Sequence, residues 1–308
     1  MPWEAFVDPI RADNTSGAAE LAKAAALAVL GWIDATSALP LPAWKAELST
    51  FAAALYRAQP AMAPLFNLVN NTLLVLESTS VQQEVRSSVR HAVQACLEHG
   101  AQANRRLAMA TSGVLPCDAR ILTFSYSSSI LSVLLEAYAR QHLSAVFCTE
   151  SRPMLEGRRL ARELTKTGIA VEFGVDAAIA TFAERAHLAL VGADSITVRG
   201  VVNKLGTTSL ALACRHAGIP CYVVGDRHKW FPTAAAPPEF NQHKPEVEVW
   251  RDPPAGVTIG NVYFECTPME LFSGIIGEDG PRGPEDLRQQ LIEMPVAQAL
   301  RGDIQGPH

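Results

Sequence analysis

Polar side chains follow several short apolar runs in the second half of this chain, and an aspartate among them has the chemistry of an acid or base. Asp194 comes after the apolar run 188–192. A carboxylate at the end of a buried strand is partly desolvated, which raises its pKa and lets it exchange protons near neutral pH. The alternative is a turn aspartate that bonds its own backbone. Alone, Asp194 favours that alternative.

Asn203 and Lys204 stand shortly before an apolar helical segment and have the chemistry to hold an anion. A helix N-terminus offers free N–H groups and the positive end of the helix dipole, and the lysine adds charge. The alternative is that Thr207 or Thr208 caps the helix while the lysine is merely solvated. The pair is a weak signal until other strand ends are considered.

Two further cations, Lys229 and Arg152, follow other apolar runs and are predicted to face the same crevice. In an open α/β sheet, ligands bind beyond the carboxyl ends of the strands, where loops and helix N-termini converge. Each cation alone means little, because surface lysines and arginines are common. Four strand ends that present polar groups to one crevice predict a pocket for a small anion, with a phosphate ester as the favoured ligand.

The stretch TFSYSSS, residues 123–129, places six hydroxyl groups where a strand is predicted to turn into a helix. It is too polar for the core of either element, so it is a helix cap or a ligand cradle. Both are compatible, because serines can cap a helix while the first turn presents N–H groups to an anion. The candidate site residues here are Ser125, Ser127, Ser128 and Ser129.

The elements that position these residues differ between the two halves of the chain. From Ser16 to about Gly113 the apolar residues recur at helical spacing, which predicts a helical domain over 1–115. After Pro116 short apolar runs alternate with helical stretches, which predicts an α/β domain with a mostly parallel sheet over 116–308. The predicted strands are 119–123, 145–149, 170–173, 188–192 and 221–225, and the predicted helices are 127–141, 155–167, 181–186 and 206–217.

The end of the chain is harder to interpret from its sequence. The proline-rich stretch 232–254 is predicted to be an excursion before a last strand and helix around 262–276. No chemistry can be assigned to this stretch from its residue types.

Composition and missing motifs exclude several classes of function. The formal charge of −5 lacks the basic excess expected for nucleic-acid binding, and the longest apolar run, 24–33, is too short to span a bilayer. No signal peptide is recognisable, and six dispersed cysteines fit a reduced cytoplasm. The histidines have no metal-ligand spacing, and dinucleotide, phosphate-loop and nucleophile-elbow motifs are missing, so no cofactor and no metal are expected.

Several motifs in order resemble one family. They are VGADSITVRGVVNKLGT (191–207), TESRPMLEG (149–157), the lysine of GDRHKWF (225–231), FECTP (264–268) and, more weakly, TSGAAELAKAAALAVL (15–30). They resemble the translation initiation factor 2B alpha/beta/delta family, which includes ribose-1,5-bisphosphate and methylthioribose-1-phosphate isomerases. The resemblance implies a Rossmann-like second domain, a phosphorylated sugar as ligand, and a homodimer or higher homo-oligomer.

The resemblance also assigns roles to individual residues. It implies that Asp194 is the catalytic aspartate, that Asn203 and Lys204 bind substrate, and that Lys229 contacts phosphate. The loop that contacts substrate after the first strand maps to residues 127–129.

The chain departs from the isomerase pattern at four places. Ser125 stands where a cysteine is expected, and an unactivated alcohol exchanges protons near neutrality far less readily than a thiol. An Arg-Gly motif reads Ser16-Gly17, and a second arginine is replaced near Gln59, which removes bidentate recognition of a second phosphate. The interval from Asp194 to Asn203 is one residue shorter than usual.

Three functions remain open from the sequence. The first is a sugar-phosphate-binding protein without cysteine-dependent isomerase chemistry. The second is an aldose-ketose isomerase that uses Asp194 with a water or another residue in place of the cysteine. The third is a regulatory subunit in translation initiation, which is supported by the family name more than by any residue.

Overall fold

The first half of the protein is a bundle of five helices. The computed structural model describes residues 3–236 and 238–301. Trp32, Trp44 and Phe51 are fully buried at the centre of the bundle, where the rings of Trp32 and Phe51 stack 5.4 Å apart. The helices are α1 (Glu4–Ala12), α2 (Ala18–Ala35), α3 (Leu41–Ala58), α4 (Ala63–Ser78) and α5 (Val85–Ser112).

The second half contains two sheets and five more α-helices. The helices are α6 (Ser128–Ala139), α7 (Glu156–Lys166), α8 (Ile179–Ala183), α9 (Thr207–Ala217) and α10 (Pro284–Glu293). The strands are β1 (Ala119–Thr123), β2 (Leu143–Thr149), β3 (Val171–Gly174), β4 (Leu188–Val191), β5 (Ser195–Thr197), β6 (Gly200–Lys204), β7 (Cys221–Val224), β8 (Phe264–Thr267), β9 (Gly274–Gly277) and β10 (Gly280–Arg282).

The larger sheet has seven strands in the order β10-β9-β7-β4-β1-β2-β3, and β9 and β10 form its antiparallel pair. Its central strands are nearly continuous apolar runs because helices cover both faces. The predicted fold class, a helical N-terminal region followed by a mostly parallel α/β sheet, is therefore confirmed. Each of the five predicted strands is present, with bounds shifted by at most two residues.

The smaller sheet was not predicted. β5, β6 and β8 form an antiparallel sheet that carries Asn203 and Lys204 on β6, in a stretch interpreted from the sequence as polar loop.

The strand predicted around 262–276 is present as β8, but the prediction of a helix in the same stretch was wrong. A 3₁₀ turn over 269–271 follows β8, then comes β9 in the other sheet, and the helix α10 begins only at Pro284. Pro268 lacks the N–H that would continue β8, so the chain turns there.

The last described segment returns to the helical half. The amide of Asn70 donates to the carbonyl of Pro295, and its oxygen accepts from the N–H of Ala297. Ala297 is fully buried in the core of the helical bundle. The chain thus crosses from the α/β half to the helical half near its end.

No helix within the described residues is long and apolar enough to cross a membrane.

The glycine at the start of α7 permits the close approach of that helix to β2. A methyl group on Gly157 would lie 1.7 Å from the carbonyl oxygen of Thr149. Since this neighbour is backbone, it cannot rotate away, and the helix or the strand end must move.

We expect Gly157→Ala to lower the free energy of unfolding by about 3 kcal/mol, the upper range for overpacked sites. Urea denaturation followed by circular dichroism measures this. Gly100→Ala is the matched control, because a Cβ there meets nothing within 4 Å in the helix α5. It should be neutral or slightly stabilising. Equal stability of the two variants would contradict the packing argument.

Candidate functional site

A cavity that opens to solvent lies where the strand ends of both sheets meet the N-termini of α2 and α6. Seven of the nine residues predicted from the sequence line it. They are Ser125, Ser127, Ser128, Asp194, Asn203, Lys204 and Lys229. The serines, Asp194 and Lys229 converge because β1, β4 and β7 are adjacent and parallel, so that their carboxyl ends share one edge, and β6 of the smaller sheet adds Asn203 and Lys204.

The structure does not bring the other two predicted side chains into this cavity. The guanidinium of Arg152 donates to the carbonyls of Glu248 and Val249, which ties it to the proline-rich excursion. The hydroxyl of Ser129 donates to the Asn104 side chain on α5, 2.9 Å away. Both residues follow predicted strand ends, but their side chains contact other elements.

Asp194 lies on the cavity wall between two lysines. It leads into β5, and its backbone N–H donates to Val202 on β6. Burial raises the pKa of its carboxyl to about 6, because the nearby ammonium groups of Lys229 and Lys204 offset the lost hydration only in part, and Glu156 adds repulsion. A carboxyl with this pKa can give or accept a proton near neutral pH.

Lys204 is neutralised by a carboxylate that the sequence analysis did not single out. Its ammonium donates to Oε1 of Glu156 at 2.7 Å, and the lysine side chain is only 4% exposed. The other carboxylate oxygen of Glu156 is buried and has no hydrogen-bond partner among the described residues. Glu156 lies in the first turn of α7, within the TESRPMLEG motif, which was the available signal.

Lys229 is a cation available for a ligand. It is 6% exposed and lines the cavity, and none of the hydrogen bonds or ion pairs within the described residues uses its ammonium group. Its 3₁₀ turn is held by Asn67 of α4, whose amide donates to the carbonyls of His228 and Trp230. The helical half therefore fixes the position of this charge.

The helix N-terminus predicted from the sequence as the anion site is already occupied by a side chain. One carboxylate oxygen of Glu265 accepts from the N–H groups of Gly206 and Thr208 at the start of α9. Neither Thr207 nor Thr208 caps this helix; the N-cap is Gly206, with no side-chain cap of its own. The chain's own carboxylate thus takes the place of an external anion.

The N-terminus of α6 remains open to the cavity. Ser127 is its N-cap and accepts a long bond from the N–H of Ile130, so the first-turn N–H groups of Ser128 and Ser129 have no partner within the helix. Gly192 permits the close packing of Ser127 against the chain after β4, because a Cβ on Gly192 would lie 2.8 Å from the Cβ of Ser127. The serine stretch therefore caps α6 and leaves two first-turn N–H groups without a partner within the helix.

Ser125 faces the cavity from a left-handed backbone conformation, with φ of 66°. Its N–H donates to the hydroxyl of the fully buried Ser151, which itself has φ of 61°. The carboxylate of Asp176 holds this second turn through the N–H groups of Ser151 and Arg152. A left-handed backbone conformation at a non-glycine residue raises the free energy of the folded protein, and it persists where neighbouring groups hold the residue in place.

Two departures from the isomerase pattern also lie at the cavity. Gln59 donates to the carbonyls of Ile10 and Asp13, so it anchors the chain before α2 and offers no positive charge. Ser16 and Gly17 line the cavity where an arginine was expected.

Lys244 and Tyr263 were missed by the sequence analysis and also line the cavity. The centre of the Tyr263 ring lies 5.1 Å from the ammonium of Lys204 and 4.9 Å from that of Lys244. Lys244 lies in the proline-rich excursion 232–254, to which no chemistry was assigned, and Tyr263 lies shortly after it.

We expect Asp194→Asn to stabilise the fold above pH 6. The carboxyl has a higher pKa in the folded protein than in the unfolded chain, so ionisation weakens the wild type as pH rises through about 6. The gain should be on the order of 3 kcal/mol at pH 8 and vanish below pH 4. Thermal unfolding against pH measures it. The exposed Asp252→Asn is the control, and a pH-independent gain would contradict the assignment.

The chain is similar to known proteins over most of its length. Residues 14–284 match the Initiation factor 2 subunit family. A putative translation initiation factor eIF-2B subunit 2-like protein of Pyrococcus horikoshii is 35% identical over 73% of this chain and 76% of its own length. The ribose 1,5-bisphosphate isomerase of Methanocaldococcus jannaschii is 29% identical over 87% of each chain.

A solved structure agrees with these matches. The crystal structure of the Pyrococcus horikoshii OT3 translation initiation factor eIF-2B superposes with a TM-score of 0.78 at 30% identity, over 92% of this chain and 98% of that one. The family match covers most of the chain, and the fold match extends over both halves. The chain belongs to the Initiation factor 2 subunit family.

Proposed function

We propose that this protein binds a phosphorylated sugar in the cavity, with the phosphate at the N-terminus of α6 beside Lys229. The observation that carries the proposal is the nearly buried ammonium of Lys229, unpaired among the described residues, in the cavity that the first turn of α6 also lines. N–H groups at a helix start and a nearby lysine are a recurrent phosphate site. The other candidate start, that of α9, already holds the Glu265 carboxylate.

The sugar would lie against the polar wall formed by Asp194, Asn203 and the ion pair of Lys204 with Glu156. Carboxylates accept hydrogen bonds from sugar hydroxyls, and an amide can both donate and accept. The buried oxygen of Glu156, which has no partner among the described residues, has an acceptor position left.

A single phosphate fits this cavity better than two. The position expected to carry an arginine for a second phosphate is held by Gln59, whose amide is used by backbone carbonyls. The neighbouring Asp13 adds negative charge on that side, and hydrogen bonds to it from Ser16 and Thr15 keep its pKa low despite partial burial. We therefore assign a sugar monophosphate as the ligand class.

Isothermal titration with ribose 5-phosphate, ribose 1-phosphate and unphosphorylated ribose tests the proposal. We expect binding of at least one phosphate ester and none of ribose. Lys229→Met should weaken binding about 10- to 100-fold, since a charged hydrogen bond contributes about 1.5–3 kcal/mol. Lys166→Met, on the exposed end of α7, is the matched control. Equal affinity of the two variants, or of ribose and its phosphates, would refute the site.

An aldose-ketose isomerase is the second candidate, favoured by the pKa of Asp194. Isomerisation requires a group that takes a proton from one sugar carbon and returns it to the next, and a carboxyl with a pKa of about 6 can do both. Glu156 supplies a second carboxylate at the cavity. Ser125 remains an alcohol and a weak acid or base, so the reaction would depend on these carboxylates.

Proton NMR of a sugar 1-phosphate incubated with the protein in D₂O tests this candidate. If Asp194 acts as a base, kcat/KM should fall as pH drops below about 6, and Asp194→Asn should abolish turnover while calorimetric binding persists. Wild-type binding without ketose formation or deuterium exchange at any pH from about 5 to about 9 would restrict the protein to binding.

A homodimer or higher homo-oligomer is part of the same proposal, and sedimentation equilibrium measures it. Exposed apolar side chains on the excursion, Val247, Val249 and Trp250, offer a surface for a second copy. A role in translation initiation is supported by the names of relatives, whereas the cavity residues argue for a small anion.

A further inference from the structure

A second group of polar side chains lies behind Lys229, outside the sugar-phosphate cavity. His99 on α5 and the pair Asp226 and His228 after β7 bring one ligand-type atom each within 4.8 Å of one another. The two imidazole rings are 4.1 Å apart. The three residues come from both halves of the protein, so no spacing in the sequence could have indicated them.

A fourth side chain adjoins this group. Oε1 of Glu278, between β9 and β10, lies 3.3 Å from Nε2 of His99. Ligand atoms on a tetrahedral zinc ion with bonds of about 2.0–2.1 Å are separated by about 3.4 Å. The two side chains therefore already have the spacing of two ligands on one ion.

These two atoms are also unsatisfied. Nε2 of His99 and Oε1 of Glu278 are both buried, and neither has a hydrogen-bond partner among the described residues. Buried polar atoms without partners are uncommon and costly, and a cation bound between the two atoms would satisfy both. Since the two atoms face each other at 3.3 Å, a cation bound between them would replace this weak mutual contact.

The charges around the group are compatible with a cation. Asp226 and Glu278 supply two carboxylates, and the competing cations are the exposed guanidinium of Arg106, 3.8 Å from Oε1 of Glu278, and the nearby Arg227 and Lys229. Burial lowers the pKa of both imidazoles, that of His228 to about 4, and a neutral imidazole is the form that binds metal.

We propose that His99, His228, Asp226 and Glu278 form a zinc site that clamps the helical half to the α/β half. Two imidazoles and two carboxylates suit Zn²⁺ in tetrahedral geometry, for which His99, His228 and Asp226 close in from separations of up to 4.8 Å and Glu278 joins them beside His99. Because His228 and Lys229 share one 3₁₀ turn, the ion also fixes the turn that carries the proposed phosphate-binding cation.

This proposal departs from the sequence analysis, which expected no metal. That expectation relied on short spacings such as those of a zinc finger or a helical His pair. Here the ligands come from α5, the turn after β7 and the turn after β9, which are brought together by the tertiary fold.

Calorimetric titration of EDTA-treated, dialysed protein with Zn²⁺, and visible absorption after loading with Co²⁺, test the proposal. We expect one ion per chain, a tetrahedral Co²⁺ spectrum without thiolate charge transfer, and a higher Tm with Zn²⁺. His99→Gln and Glu278→Gln should each weaken binding more than about 100-fold, the upper end of the loss seen when an outer-shell partner of a ligand is removed.

His91→Gln is the matched control, because His91 is exposed on the same helix as His99. It should bind Zn²⁺ as the wild type does. The Co²⁺ spectrum of the wild type needs no variant, so the test survives a variant that fails to fold. Absence of micromolar binding, thiolate charge transfer from the free cysteines, or unchanged affinity in a folded His99→Gln variant would each overturn the site.

Discussion

The buried ion pair between Lys204 and Glu156 is the constraint on which the site depends. It joins β6 of the small sheet to α7, the helix that follows β2 of the large sheet, and the lysine side chain is 4% exposed. Removing Glu156 would leave the buried ammonium of Lys204 without this partner, and breaking a buried pair typically costs about 3–5 kcal/mol. Because Lys204 is paired, its field on Asp194 is partly cancelled by Glu156, and burial raises the pKa of Asp194 to about 6 despite two neighbouring lysines.

The placement of other carboxylates decides where a ligand can bind. Glu265 caps α9, and Glu20 accepts from the N–H of Gly17 at the start of α2 while pairing with Arg159 of α7. These carboxylates use helix starts that would otherwise attract anions. The start of α6 is capped by a neutral serine, and its first-turn N–H groups lie at the cavity that Lys229 lines.

Contacts between the two halves hold the cavity in shape. The N–H of Ala63, at the start of α4, donates both to the carbonyl of Asp194 and to the hydroxyl of Ser195. On the same helix, Asn67 holds the turn that carries Lys229. One helix of the first half therefore positions both the candidate acid-base group and the candidate phosphate cation. The proposed zinc clamp would add a second link, from α5 to the same turn.

Local sequence patterns were enough to predict most of the elements, the edge of the sheet at which the cavity lies, and the family. Apolar runs at strand length and helical periodicity are local properties, so β1, β4 and the loop to Asp194 could be predicted without coordinates. The small sheet could not be predicted in this way. Its strands are short, and β6 pairs with β8, which lies far along the chain beyond β7 and the excursion.

Which side chains meet was settled by tertiary packing. Arg152 was predicted to face the crevice from its position after β2, but its long side chain reaches the excursion instead. Lys244 and the histidine cluster carried no local signal, because their neighbours lie far away in sequence. Periodicity indicates which face a residue occupies, whereas hydrogen bonds and ion pairs depend on distances of a few ångströms that arise when separate elements pack.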